Sequence, residues 1–262
     1  MSTGSLARQI EEASLNAWPA LQQLLYDGWV LRFSEGYTKR ANSVNSLCGP
    51  SAQATAGEAE ARVRFAEECY RDRGLPTIFR ITPFSVPRDL DAFLERRGYV
   101  RLDPTQVMVL DLGHFEPLSH VSSCSANPAG ELRQKELDAW LTLFAHLHDE
   151  ALESQRKHRA ILRSIAAEVQ PYVLGVRGRP VACALGVLEE ERLGLFDLYV
   201  HPAFRRQGYG TAMTSRILAQ AKQGGVRWAY LQVTEANEAA QGMYRKLGFG
   251  DLYRYWYRIQ SD

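Results

Sequence analysis

Arg205-Arg206-Gln207-Gly208-Tyr209-Gly210 stands between an apolar run with the alternation of a strand and a stretch with helical periodicity. Glycines in such a turn let the backbone approach a ligand closely and leave successive N–H groups free. A helix beginning at about Gly208 aims its unpaired N–H groups and the positive end of its dipole at the same place. That arrangement holds a pyrophosphate, and Arg205 and Arg206 add a cationic rim. The spacing is neither G-x-G-x-x-G nor G-x-x-x-x-G-K-[ST], so dinucleotide and P-loop sites recede. Farther along, Asn237-x-x-Ala240-x-x-x-Tyr244-x-x-x-Gly248-Phe249 follows the Gln232-Val233 strand on a short helix.

In these two segments the chain resembles the GNAT acyltransferase superfamily, whose mark is an R/Q-x-x-G-x-G/A loop followed by an N-x-x-A-x-x-x-Y-x-x-x-G-F helix. Here the second begins 27 residues after Gly210, and the likeness covers about residues 130–262. The resemblance implies an N-acetyltransferase with acetyl-CoA as co-substrate, no metal, and a small-molecule or peptide amine as acceptor. It implies that the backbone of Leu198, Tyr199 and Val200 pairs with the pantetheine arm. An N–H near Val200 would polarise the thioester carbonyl and stabilise its oxyanion. Arg205, Arg206, Gln207, Gly208, Tyr209, Gly210 and Thr211 would form the cofactor-binding loop. Asn237 would hold local backbone or the pantetheine. Tyr244 would protonate the departing thiolate, a sensible pairing because a thiol titrates near about 8.5 and a phenol near about 10. The alternative for Tyr244 is a packing tyrosine bonded elsewhere.

The base that frees the acceptor amine is less legible. Where some relatives carry a glutamate, this chain reads Gly194-Leu195-Phe196. Asp197, Tyr199 and the Glu189–Glu191 run remain; Asp197 reads either as the catalytic candidate or as a residue that merely fixes the strand end, and a water relay with no single base fits as well. The glutamates read as a solvated hairpin turn.

Several elements must position these residues. Helices are expected over 6–25, with Pro19 as kink or boundary, and over 57–73, 88–97, 131–149, 153–168, 208–223 and 237–247. Strands are expected at 77–82, 107–112, 171–177, 180–188, 192–200, 227–234 and 252–259, with a hairpin joining Trp29–Phe33 to Ser43–Leu47. In Gly36–Ser46, Lys39, Arg40 and Asn42 read either as a contact hairpin for substrate or partner, or as a turn whose Asn42 and Ser43 satisfy local backbone. The aromatic end strand Tyr253–Tyr257 reads as sheet packing.

The two halves of the chain rhyme. Helix from Gly57, strand TIFRIT, helix LDAFLERR and Gly98-Tyr99 match helix from Gly210, strand AYLQVT, helix AAQGMYRKL and Gly248-Phe249, at offsets of 153, 152 and 150 residues. Such self-similarity points to duplication. The expected class is α/β (α+β), two GNAT-like domains, each a mixed, mostly antiparallel sheet flanked by helices: a degenerate domain at 1–115, a linker at 116–130, and a catalytic domain at 131–262. The first half has CGPSAQATAG, residues 48–57, in place of RRQGYG, and Leu94 in place of Tyr244, so catalysis is expected from the second half alone.

Composition excludes other classes. With 31 Lys+Arg against 30 Asp+Glu the net charge is +1, which weakens any case for nucleic-acid binding. With 45% hydrophobic and 23% charged residues the chain can bury a large core and is not disordered. No apolar run is long enough for a membrane span, and MSTGSLARQIEEASLNAW lacks a signal-peptide core, so a cytoplasmic protein is expected. A homodimer is compatible with all of this. Four cysteines without a C-x-x-C pair read as reduced thiols. His146, His148 and His158 read as helix-surface histidines. A non-catalytic acyl-CoA-binding module and a nucleotide-binding protein of another kind are the rival readings.

Overall fold

A computed structural model describes residues 3–47, 56–117 and 130–260. Most of the expected linker, Cys48, Cys124 and most of the loop facing RRQGYG in the repeat lie outside them. The first part of the chain forms α1 (Thr3–Asn16), β1 (Gln22–Tyr26), β2 (Trp29–Phe33), β3 (Val44–Asn45), α2 (Ala56–Arg71), β4 (Ile78–Ile81), α3 (Leu90–Arg96) and β5 (Tyr99–Asp111). The second forms β6 (Glu131–Gln134), α4 (Leu137–Leu147), α5 (Arg156–Arg163), β7 (Glu168–Val176), β8 (Arg179–Glu189), β9 (Arg192–Val200), α6 (Tyr209–Gln223), β10 (Trp228–Thr234), α7 (Glu238–Lys246) and β11 (Gly250–Gln260).

Two stretches read as helix are strands. Beyond Pro19, residues 22–26 pair with β2 across Asp27-Gly28, both at positive φ (46° and 79°). That is the backbone an Asp-Gly hairpin turn favours, a signal that outweighs helical periodicity. Residues 131–134 pair with β7 as an edge strand before α4 begins.

All eleven strands join one mixed sheet in the order β1-β2-β3-β4-β11-β5-β10-β9-β8-β7-β6. At its centre the two halves exchange their last strands: β11 lies between β4 and β5, and β5 between β11 and β10. The registers repeat the sequence offsets. Gly250 faces Val109 and Ile259 faces Val100, pairs that interchange on a shift of 150 residues. Ile259 facing Ile78 likewise corresponds to Val109 facing Tyr230. The chain similarity is thus a pseudo-twofold of the sheet itself.

Three apolar clusters follow from this layout. One belongs to the first half, around Trp29, Phe79 and Tyr99. A second lies between β8–β10 and α6–α7, with Leu195, Met213, Leu231 and Tyr244. A third, where α1, α4 and α5 meet the sheet, gathers Ile10, Trp18, Trp140, Phe196 and Tyr255. Within it Glu11 of α1 accepts from Arg80 of β4 and from the Tyr253 hydroxyl of β11, joining both ends of the chain to the first-half sheet. Burial alone would lower the Arg80 guanidinium's pKa; the Glu11 carboxylate beside it raises it instead. No helix among the described residues is long and apolar enough to cross a membrane.

Candidate active site

The parallel pair β9–β10 runs in register from Arg192–Trp228 to Leu195–Leu231 and goes no further, although β9 continues to Val200 and β10 to Thr234. Beyond that point each strand keeps only its outer neighbour, β8 or β5, and the two splay apart. The His201 amide donates to Val181 O (3.0 Å), so antiparallel alternation turns the Val200 N–H and C=O away from β8, toward the open side. Leu198, Tyr199 and Val200 are half-buried there, in contrast to buried Leu193–Phe196.

The chain leaves β9 through a short 3-10 turn, Pro202–Phe204, and enters α6 with Gly208 as the residue before its first turn. Gly208 sits at φ 83°, and an added Cβ would meet nothing within 4 Å, so the left-handed backbone rather than crowding calls for glycine. Gly210 is the close-approach position: a Cβ there would stand 3.3 Å from Met243 Sδ and 3.5 Å from Val200 Cγ2. The N–H groups of Tyr209, Gly210 and Thr211 open α6, whose first backbone bond is Ala212 N–H to Gly208 O (2.9 Å). Arg205, Arg206 and Gln207 are exposed. Arg205 Nε donates to Val200 O (3.0 Å), with its guanidinium 5.3 Å from the Tyr199 ring centre, and Gln207 Nε2 donates to Ala203 O (3.2 Å).

On the other flank, α7 begins at Asn237, whose Oδ1 accepts from the Ala240 N–H (3.1 Å). Of the two uses foreseen for Asn237, the structure places it on local backbone. Gln241 steadies the same turn by donating to Thr234 O and Glu235 O. Tyr244 is buried, edge-on to Phe249 (5.8 Å), and its hydroxyl has no hydrogen-bond partner among the described residues. Burial pushes that phenol up to about 12. Leu94, at the matching place in the first half, is wholly buried in apolar packing.

Asp197 lies on a β-bulge. Between Cys183–Tyr199 and Leu185–Phe196 the register with β8 slips, and Asp197 takes φ 48°. Its Oδ2 meets His158 Nε2 at 2.9 Å, and His158 is fully buried. The helix-surface reading of His158 is therefore wrong. In RKHRAILR, His158, Ile161 and Leu162 share the apolar stripe at i, i+3 and i+4, and this spacing could have revealed it. His148 is half-buried, its ring stacked on Tyr199 at 3.7 Å and its Nδ1 donating to Phe144 O (2.8 Å). Tyr37, from the first half, stacks over His158 at 5.8 Å. Burial raises the Tyr37 phenol, and the Asp197 and Glu150 carboxylates raise it further.

Of the other base candidates, Tyr199 lies in this cluster against His148, and the glutamates lie apart from it. Glu189 accepts from Asn16 Nδ2 (2.9 Å), and Glu190 makes the β8–β9 turn at φ 54°. No carboxylate fits at 194: a Cβ there would be 2.6 Å from Phe196 Cε2 and 2.7 Å from the Tyr230 ring. In the first-half loop, Asn42 accepts from the Ser34 and Gly36 amides and donates to Tyr37 O and Thr38 O, which holds Tyr37 in place. A separate cleft of about 620 Å³, lined by Glu12, Asn16, Arg32, Asn45 and Glu189, includes none of the motif residues.

Residues 4–258 match the family described as probable histone acetyltransferase Rv0428c C-terminal. The uncharacterized N-acetyltransferase YobR of Bacillus subtilis (strain 168) is 26% identical over 253 residues, 97% of this chain and 98% of that one. Among solved structures, a GCN5-related N-acetyltransferase from Kribbella flavida aligns with TM-score 0.71 and 13% identity, over 99% of this chain and 96% of its own. A tandem GNAT protein from the clavulanic acid biosynthesis pathway aligns with TM-score 0.63 and 18% identity, over 84% and 76%.

Proposed function

The chain belongs to the acetyltransferase family whose model it matches, within the GNAT N-acetyltransferase superfamily, and on that premise we propose that it moves the acetyl group of acetyl-CoA to a primary amine by direct attack in a ternary complex. The observation that carries this reading is the splay of β9 from β10, opening beside a glycine-entered helix N-terminus. The loop fits an anionic pyrophosphate: unpaired amides of Tyr209, Gly210 and Thr211, a glycine at 208 that leaves the approach clear, and exposed Arg205 and Arg206 beside it. Bound acetyl-CoA supplies the acetyl group as an activated thioester. Leu198–Val200 offer backbone along the open side of β9 to a pantetheine arm, and the Val200 N–H faces the place where an oxyanion develops.

Tyr244 lies in the cluster that packs beneath that opening. Its phenol keeps its proton throughout the neutral range and can give it to a departing thiolate. Asp197 takes the base role, because it sits on the bulge at the mouth of the splay, whereas Glu189 is bonded to Asn16 and Glu190 turns the β8–β9 hairpin. The first half contributes Tyr37 to the acceptor side and no second catalytic centre.

A turnover screen tests the proposal: full-length protein, acetyl-CoA and a library of amines, with released thiol as readout. Thiol release with at least one amine, matched by an acetylated product, is expected. Acetyl-CoA binding without release for any amine class would instead identify an acyl-CoA-binding module.

A further inference from the structure

Four polar side chains from three elements form a line that the sequence motifs do not contain. Glu150, in the turn after α4, accepts from Gln155 Nε2 and from Ser154 Oγ (3.1 Å). Gln155 Oε1 lies 3.0 Å from His158 Nδ1, and His158 Nε2 lies 2.9 Å from Asp197 Oδ2. The line starts at the exposed Glu150 carboxylate and ends at the half-buried bulge residue.

Hydrogen-bond direction settles the middle of the line. Glu150 as a carboxylate only accepts, so the Gln155 amide must turn its NH2 toward it and its carbonyl toward His158. A carbonyl oxygen also only accepts, so His158 Nδ1 must carry a proton. Neutral His158 then presents the Nε2 lone pair to the Asp197 carboxylate. Two acceptors face each other at 2.9 Å, and one added proton between them relieves the repulsion. The surroundings sharpen this. Trp18, Tyr37, Trp140 and Phe144 surround the His158 ring at centroid distances of 5.7, 5.8, 6.2 and 5.0 Å, so the imidazole is shielded from water while the Asp197 carboxylate stays part-exposed. The charged or titratable groups facing it are Asp197 and Cys183 from β9 and β8, Glu150 and His148 from the end of α4, Tyr37 from the first half, and Arg40 over the Trp18 and Phe196 rings.

We propose that His158 is a positioning residue which, locked as the Nδ1–H tautomer by Gln155 and Glu150, holds its Nε2 lone pair against Asp197 so that the two together take a proton from an ammonium acceptor. A lone carboxylate is a poor match for an alkylammonium, which titrates near about 10. A proton arriving at the pair lies between Asp197 Oδ2 and His158 Nε2, 2.9 Å apart, and is shared by both. The balance closes. One N–H bond of the acceptor breaks, the proton passes to the Asp197–His158 pair, and the pair goes from −1 to 0 as the ammonium goes from +1 to 0. The nitrogen then forms its C–N bond as the C–S bond breaks; Tyr244 protonates the thiolate, and the nitrogen's second proton restores Tyr244. An anionic pair also favours cationic acceptors over acidic ones.

This rests on the acetyl-transfer reading, and the test separates the two. The kcat–pH profiles of the wild type, His158→Gln and Gln155→Met are compared by thiol release with one accepted amine. Both variants should lower the plateau kcat, on the order of 10²-fold for His158→Gln. They should also move the acid limb by at least about one pH unit toward lower pH, leaving KM for acetyl-CoA unchanged. An acid limb that stays in place overturns the proposal. Independently of any variant's folding, imidazole 15N spectra of the wild type should show His158 Nδ1 protonated from pH 6 to 9, and an Nε2–H neutral tautomer overturns the lock. No thiol release by the wild type with any amine sinks the acetyl-transfer reading instead.

Discussion

Tyr244 combines a motif position with a hydroxyl that makes no hydrogen bond among the described residues. Removing that hydroxyl breaks no protein hydrogen bond, because none is made among the described residues, and Phe keeps the edge contact with Phe249. Tyr244→Phe should therefore leave the urea midpoint nearly unchanged while kcat falls on the order of 10²-fold. KM for acetyl-CoA should stay within about twofold, since the proposed pyrophosphate site is made by the loop amides and not by Tyr244. An unaltered kcat would reduce Tyr244 to packing. Motif spacing made this residue legible. Its partner chemistry at Asp197 was legible only as one carboxylate among several, because His158 comes from a helix 39 residues upstream.

At the level of the element, α7 owes its entry to Asn237, and the motif asparagine is first of all a cap. Asn237→Ala removes the acceptor for the Ala240 N–H and should cost about 1 kcal/mol in urea unfolding. A partial loss of kcat should accompany it as α7 loosens around Tyr244. A second element-scale contact ties α3 to β11: Arg258 Nε (2.7 Å) and Trp256 Nε1 (2.8 Å) both donate to Asp91 Oδ1. Burial alone would raise the Asp91 carboxyl; these hydrogen bonds outweigh it and hold the carboxyl below its ordinary value. A depressed carboxylate contributes its full stability above the unfolded value of about 3.9 and loses it as pH falls through the lower folded one. Asp91→Asn should thus cost about 1 kcal/mol at pH 7, modest because the group is part-exposed, with the gap from wild type closing as pH falls through the lowered folded value. A gap independent of pH would mean that charge is not what Asp91 supplies.

In the whole molecule the exchange of β5 and β11 is the dominant fact. β10 has β5 of the first half as its antiparallel neighbour along its entire length, and β11 has β4 and β5. Residues 130–262 expressed alone would expose the β5-facing edge of β10 and both edges of β11, a template for aggregation. We expect that fragment to be insoluble or to elute as large oligomers on gel filtration. Co-expression with residues 1–117 should return a soluble complex of native size. A monomeric, cooperatively melting fragment would show that the exchange is not needed for folding. The same exchange brings Trp18 and Tyr37 of the first half against His158 of the second, so the surroundings of His158 are built from both.

The sequence by itself determined the superfamily, the glycine loop that enters α6, the acid candidate and the repeat. Each of these is local or periodic: glycines where a turn needs positive φ, a cap before its helix, apolar residues at strand or helix spacing. Even the missed first hairpin was signalled locally, by Asp27-Gly28. Tertiary structure alone decided how the two halves join and which groups stand beside Asp197. Strand order is set by pairing between residues as much as 150 positions apart, and the state of a carboxylate depends on neighbours that spacing along the chain does not name.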